Sequence, residues 1–447
     1  MLLSSLGTSI ANVGLPTLAL AFDASFQAVQ WVVLAYLLAI TTLIVSVGRI
    51  GDIVGRRHLL LAGVVVFAAA SAFCGLAPTL PLLIAARGLQ GVGAAIMMAL
   101  AVAMVGETVP KAQAGSAMGL LGTMSAIGTA LGPSLGGILI ARFGWRANFL
   151  AIVPLGIVTL VLAHRYLPLD RRDPSATRTG FDPLGTLLLA STLATYALAM
   201  TLGRGSFGPL NLSLLVAAVV GAALFGFAQT RVASPLIRLA MLRDAPLCAR
   251  LATSTLVSTV MMATMVVGPF YLAGALGLDA ARVGLVLSVG PLVVALTAVP
   301  AGHIADRVGA PRMTMAGLVG MALGAVLLSL LPSSFGVPGY LVPIVVLTVG
   351  YALVQTANNT AVMQDVGADQ RGVVSGMLNL SRNLGLITGA SVLAAVFAYA
   401  SAATEVAKAN PETVATGLRV TFAVAATLVV VAIVIMARAL HCRRRDI

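Results

Sequence analysis

Apolar runs of about 20 residues follow one another along the whole chain, near 2–22, 31–50, 59–77, 80–105, 114–141, 146–167, 184–203, 210–229, 250–275, 283–301, 313–332, 340–364, 372–400 and 415–440. A run of that length crosses the hydrocarbon core of a bilayer as a helix. Within hydrocarbon every backbone amide needs an internal partner, so runs this long and continuous must be helical. The fold class is all-α and polytopic, with fourteen spans numbered here helices 1–14. Dividing 447 residues by fourteen leaves about 32 per run, one span and a short connection. Composition agrees: 59% of the residues are hydrophobic and 9% charged, with a mean hydropathy of +1.04, where soluble domains carry roughly 25% charge. Too little polar surface exists to wrap a water-soluble fold.

The formal charge of +13 does not point to nucleic acid, because the basic residues lie between apolar runs rather than on one face. They orient the chain instead. With the N-terminus in the cytoplasm, nineteen Lys and Arg fall on inner connections and the tail. Six fall outside: Arg142, Arg146, Arg204, Arg282, Lys408 and Arg419. That bias puts both termini inside. The first run starts next to Met1 without a basic leader and is expected to be a retained helix. Cys74, Cys248 and Cys442 have no paired spacing, so neither a disulfide framework nor a metal site is expected.

After helix 2 the chain reads Gly48-Arg49-Ile50-Gly51-Asp52-Ile53-Val54-Gly55-Arg56-Arg57, and after helix 10 it reads Gly302-His303-Ile304-Ala305-Asp306-Arg307-Val308-Gly309-Ala310-Pro311-Arg312. Each has Gly, Asp four on, Gly three further and then Arg, in what the hydropathy pattern makes a loop on the basic side. Two copies at equivalent depth indicate duplicated halves, a common construction of secondary transporters. Glycine permits a sharp turn, the acid is placed to accept from a helix N-terminus, and the arginines can pair with acids or lipid headgroups. A single copy would read equally as a tight loop with orienting arginines.

The first string resembles the signature between helices 2 and 3 of the major facilitator superfamily. Leu83-Ile84-Ala85-Ala86-Arg87-Gly88-Leu89-Gln90-Gly91-Val92-Gly93-Ala94-Ala95 resembles the helix 4 motif of its drug:proton antiporter branch. Gly128-Thr129-Ala130-Leu131-Gly132-Pro133-Ser134-Leu135-Gly136-Gly137 resembles the helix 5 motif of exporters. Trp145-Arg146-Ala147-Asn148-Phe149 and Phe181-Asp182-Pro183-Leu184-Gly185 are similar to the fourteen-span version. The resemblance implies two six-helix halves, 1–167 and 250–440, a linker region 168–249 holding two extra, peripheral helices, and a cytoplasmic tail 441–447. It also implies a conformational switch at Gly48, Asp52, Gly55, Arg56 and Arg57, with Gly302, Asp306, Gly309 and Arg312 as its second copy.

Gly128, Gly132 and Gly136 recur every fourth residue and share a helix face, where a partner backbone can approach closely. Pro133 removes one amide donor and favours a bend. With Gly137 these residues are expected to form a hinge between the halves, and family analogy makes helix 10 the partner. A packing seam without a moving role is the alternative.

A charge inside a span is costly and marks function. Two lie well within spans, Arg87 in helix 4 and Arg382 in helix 13, while every acid falls at a helix end or in a connection. In the antiporter branch, helix 1 carries an acid five residues before the Asn of an Asn-x-x-Leu-Pro motif. Here the motif is Asn12-Val13-Gly14-Leu15-Pro16, and five residues before Asn12 stands Gly7. The departure argues against proton coupling through that site and against cationic substrates. Asn12, Gln90, Tyr351, Gln355, Asn358, Asn359, Asn379 and Asn383, with Trp31 and Tyr36 as aromatic faces, are the candidate lining of a substrate cavity shared with Arg87 and Arg382. Interhelical hydrogen bonding is the alternative for each amide, and interfacial anchoring for Trp31.

No His-Glu-x-x-His or phosphate loop is present, so an enzyme is not expected, nor is a cofactor. Filter-like loops or charge rings that would mark a channel are also missing. The expected protein is a monomeric secondary transporter of the bacterial inner membrane, working by alternating access. Its partners are the lipid bilayer, a small-molecule substrate and, by the family's pattern, protons. Efflux of small amphipathic aromatic compounds is the leading expectation, and uptake of a neutral or anionic aromatic nutrient such as riboflavin is the alternative.

Overall fold

The computed structural model describes residues 1–108, 114–167, 182–202, 208–232, 235, 241, 244–330, 332–365, 371–401 and 410–445. Among them thirteen helices are long and apolar enough to span a membrane, and a bent pair at the N-terminus makes fourteen if it is one span. Helix 1 comprises Leu2–Val13 and Leu15–Ala21, bent by 58° at Gly14. Pro16, which brings no amide donor, begins the second piece. Helix 2 is Phe26–Val54, helix 3 Arg56–Leu76, helix 4 Leu80–Thr108 and helix 5 Ala114–Phe143. Helix 6 is split at Ala151 into Arg146–Leu150 and Ile152–Tyr166. Helices 7 and 8 are Pro183–Thr201 and Pro209–Arg231. The remaining spans are helix 9 (Ala245–Gly274), helix 10 (Ala280–Val308), helix 11 (Ala310–Leu330), helix 12 (Gly336–Asp365), helix 13 (Arg371–Thr388, a π turn Gly389–Leu393, then Ala394–Ala400) and helix 14 (Pro411–Arg445).

Several helices start earlier than their apolar runs. Polar first turns are invisible to hydropathy but are stabilised by side-chain caps. Ser25 accepts from the Ala28 amide at the start of helix 2, and Asp182 accepts from the Gly185 amide at helix 7, at 2.7 Å. Asp279 accepts from the Arg282 amide at helix 10, at 2.8 Å.

Helix 4 packs against helices 2 and 3, helix 5 against helices 1 and 10, helix 9 against helices 13 and 14, and helix 12 against helices 10 and 11. One continuous apolar cluster runs from Phe26, Val29 and Val33 of helix 2 to Val266, Phe270 and Phe397 of helices 9 and 13. Helix 7 lies against helix 2 and reaches the π turn of helix 13, whereas helix 8 exposes most of its surface. The expected peripheral position therefore fits helix 8 better than helix 7.

Candidate functional site

The two Gly-Asp-Gly-Arg strings are not loops. Helix 2 continues to Val54 and helix 3 begins at Arg56, so the turn is Gly55 alone, at φ +104°. Helix 10 continues to Val308 and helix 11 begins at Ala310, leaving Gly309 at φ +88°. That region of backbone space is open to glycine at no steric cost, which explains both glycines and gives the two copies one geometry. Gly48, Asp52, Gly302 and Asp306 occupy the last turns of helices 2 and 10, and their side-chain positions lie outside the described residues. Arg56 opens helix 3 half-buried, and Arg312 is exposed. Arg57 donates from Nη2 to the His164 carbonyl at 2.7 Å, tying the start of helix 3 to the end of helix 6.

The helix 5 stripe meets a different partner from the one expected. A Cβ at Gly128 would stand 3.1 Å from the Leu6 amide nitrogen, one at Gly132 2.7 Å from Ser9 Cβ, and one at Gly136 2.9 Å from Ile10 Cγ1. All three are residues of helix 1. Two serine contacts close the same seam: Ser5 to Ser125 at 2.6 Å, and Ser9 donating to the Gly128 carbonyl at 3.3 Å. The stripe is thus a close-packed joint between helices 1 and 5. The contact with helix 10 is carried by Gly137 and the carbonyl of Pro133, which meet Ala280 and Gly284, with the two glycine Cα atoms in direct apposition. The every-fourth-residue pattern identified the small face correctly but could not say which neighbour it served.

Arg87 is wholly buried among the first six helices rather than in a cavity. Its Nε donates to the Val32 carbonyl at 2.8 Å, and its Nη1 to the Gly7 carbonyl at 3.0 Å and to Gln90 Oε1. The guanidinium sits over the Tyr36 ring at 4.2 Å and 5.9 Å from the Phe149 centroid. Gln90 donates in turn to Ser71, and Tyr36 to the Ser4 carbonyl. The cation is held here without a carboxylate, by carbonyl dipoles and ring faces, with Nη2 left unpartnered; a desolvated cation–π contact alone contributes about 2 kcal/mol. Gly7 is part of the arrangement: where the antiporter pattern has an acid, this chain offers a backbone carbonyl.

The remaining candidates separate. Trp31, half-buried, donates to Thr201 of helix 7 at 3.1 Å, a joint to an extra helix. Asn12 is buried with its Oδ1 unpartnered. Gln355 donates to Tyr351 at 2.9 Å, and Asn358 to the Arg250 carbonyl at 3.2 Å. Asn383 is half-buried, whereas Asn359, Asn379 and Arg382 are exposed. Arg382 is therefore not a second interior cation. It and Asn379 lie three residues apart on helix 13.

Sequence reasoning passed over three groups and gave Asp182, quoted for the family resemblance, no contact. Phe26 packs edge-on against Phe270, with centroids 4.6 Å apart, and against Phe397 at 5.3 Å, so helix 2 meets helices 9 and 13 at the ends opposite the glycine turns. Gln30, one turn further along helix 2, is 1% exposed and neither of its amide atoms has a partner. Tyr196 of helix 7 contacts Thr388 of helix 13 at 3.3 Å. Asp182, buried, also accepts from Gln229 of helix 8 at 2.7 Å. Composition hid Phe26 among apolar neighbours, but the Phe-x-x-x-Gln spacing was readable.

Taken together, the described helices, the duplicated glycine turns and the contact between helices 1–6 and 9–14 are those of a multi-pass membrane carrier. The Major Facilitator Superfamily matches residues 1–390, and the chain belongs to that family. It is 30% identical to the riboflavin transporter RibZ of Clostridioides difficile (strain 630) over 89% of this chain and 86% of that one. It is 31% identical to the multidrug resistance protein Stp of Mycobacterium tuberculosis over 87% and 72%. In fold it is similar to a bacterial homologue of the human lysosomal transporter Spinster, solved inward-facing and unoccupied, with a TM-score of 0.73 at 15% identity over 98% and 94% of the two chains. The protein is a transporter, not an enzyme.

Proposed function

We propose that this transporter exports small amphipathic aromatic molecules, neutral or anionic rather than cationic, from a bacterial cytoplasm by alternating access. The supporting observation is the charge at the head of helix 1. Gly7 replaces the acid of the drug:proton pattern, and its carbonyl is occupied by Arg87. With that carboxylate missing, Arg87 and Arg382 have no acid within the apolar runs to offset them, which disfavours a cation. The arginine asymmetry supports a cytoplasmic side for both termini and for the glycine turns. A second reading, uptake of a flavin-like nutrient, draws on the similarity to RibZ.

Flux of riboflavin and ethidium in right-side-out and inverted membrane vesicles tests both. The proposal expects energised flavin movement out of the cytoplasmic compartment, little ethidium movement, and a loss of flavin affinity in Arg382→Gln. Robust ethidium efflux unaffected by Arg382→Gln would overturn the charge argument. Inward flavin flux would select the uptake reading.

A further inference from the structure

Helix 2 has three differently engaged faces near its start. At about 100° per residue, Tyr36 turns toward helices 1 and 4, where its ring carries Arg87. Trp31 turns toward helix 7, and Phe26 toward helices 9 and 13, where it meets Phe270 and Phe397. Gln30 falls about 40° around the helix from Phe26. It therefore shares the face that looks across the seam between the two sets of six helices, one turn inside the Phe26, Phe270 and Phe397 cluster. It is 1% exposed, and both Nε2 and Oε1 are buried without a hydrogen-bond partner. A primary amide buried with its hydrogen-bonding capacity unused is costly. Glue between helices is excluded as its role, since it bonds to no helix.

Resting on the aromatic-solute reading above, we propose that Gln30 is a substrate-recognition residue. When the halves part at the phenylalanine cluster, its side-chain amide pairs with the edge of a planar ring that carries an N–H beside a C=O. The chemistry follows from the group itself. A carboxamide presents one donor and one acceptor side by side, and a cyclic cis-amide or imide presents the complement, so the two make a two-point pair. The three phenylalanines one turn away supply faces for the ring. Gln30 is without that partner while the seam is closed, so the pairing belongs to the state open at the phenylalanine cluster, the last contact an exported molecule makes before it leaves.

The test uses the full chain in lipid nanodiscs and two probes, riboflavin, whose ring has an imide N–H, and 3-methylriboflavin, in which it is blocked. Affinities are read from flavin fluorescence for the wild type, for Gln30→Met, which keeps the length of the side chain, and for Gln30→Leu. The expected result is that the wild type prefers riboflavin by about tenfold, equivalent to about 1.4 kcal/mol. Both variants should bring the two probes within twofold of each other while retaining 3-methylriboflavin affinity, which also shows that they are folded. If the wild type does not discriminate, or the variants discriminate as it does, the inference is overturned while the aromatic-solute reading stands on its vesicle fluxes. If neither flavin binds the wild type and no aromatic probe is transported, both fall.

Discussion

Adding one methyl group at Gly137 should act on the conformational equilibrium, whereas the same change five residues earlier should act on stability alone. A Cβ at Gly137 would overlap the Ala280 carbonyl oxygen and stand 3.1 Å from Gly284 Cα, where ordinary contact is 3.4–4 Å. The obstacle is backbone, so no side chain can rotate away and helices 5 and 10 must separate. Overpacking of this kind costs ~1–3 kcal/mol. Because helix 10 belongs to the other set of six helices, that cost falls only on the state in which the seam is closed. It should therefore multiply the open population by about 5–150. At Gly132 the added Cβ would overlap Ser9 Oγ and lie 2.9 Å from the Ile10 amide nitrogen, both on helix 1 of the same half. That penalty is present in every conformation. The assay is electron–electron resonance between spin labels at Leu76→Cys and Leu330→Cys, exposed positions at the ends of helices 3 and 11 opposite the glycine turns. Cys248 and Cys442 are replaced by serine, and Cys74 is buried and left in place. Gly137→Ala should add a longer distance, and Gly132→Ala should lower Tm with an unchanged distribution. A shift of equal size in both variants would refute the assignment of the two glycines to different partners.

Three further outcomes concern Arg87, Trp31 and Asp52. Arg87→Lys forfeits the geometry that reaches the Val32 and Gly7 carbonyls together; breaking such a buried charge arrangement costs ~3–5 kcal/mol, so the variant should lose monodispersity on size-exclusion chromatography at every pH. Trp31→Phe removes a hydrogen bond to Thr201 worth ~1 kcal/mol, and it should lower Tm slightly with substrate affinity unchanged by equilibrium binding. Asp52→Asn should slow transport strongly while equilibrium binding stays within twofold; normal turnover with lost binding would contradict a switching role.

Much of the architecture could be read from the chain because the bilayer leaves few choices. Continuous apolar runs must be helices, and the runs numbered 1 to 14 each coincide with an observed helix or broken helix. What hydropathy could not register was backbone economy. Gly48 to Arg57 looked like a loop because Arg49, Asp52, Arg56 and Arg57 are polar, yet those residues are helical and a single glycine makes the turn. Direction around a helix was the second gap. Trp31 and Gln30 are adjacent, and polarity suggested the indole for a binding wall, but a rotation of about 100° sends it to helix 7 and turns the glutamine to the seam. Arg87 and Arg382 looked alike as charges within apolar runs. One is sealed by carbonyls of helices 1 and 2 and the other is exposed, a difference that depends on neighbours distant in the chain.

The single-glycine turns at Gly55 and Gly309 make the chain count residues. Loops with slack absorb insertions, but helices 2 and 3, like helices 10 and 11, are separated by one residue. One residue added to either side would rotate the following helix by about 100° about its axis. It would carry Arg57 away from the His164 carbonyl that now receives it. The two turns therefore act as rulers: they fix how far each helix is wound relative to its neighbour, and lengthening them is a change of phase rather than of reach.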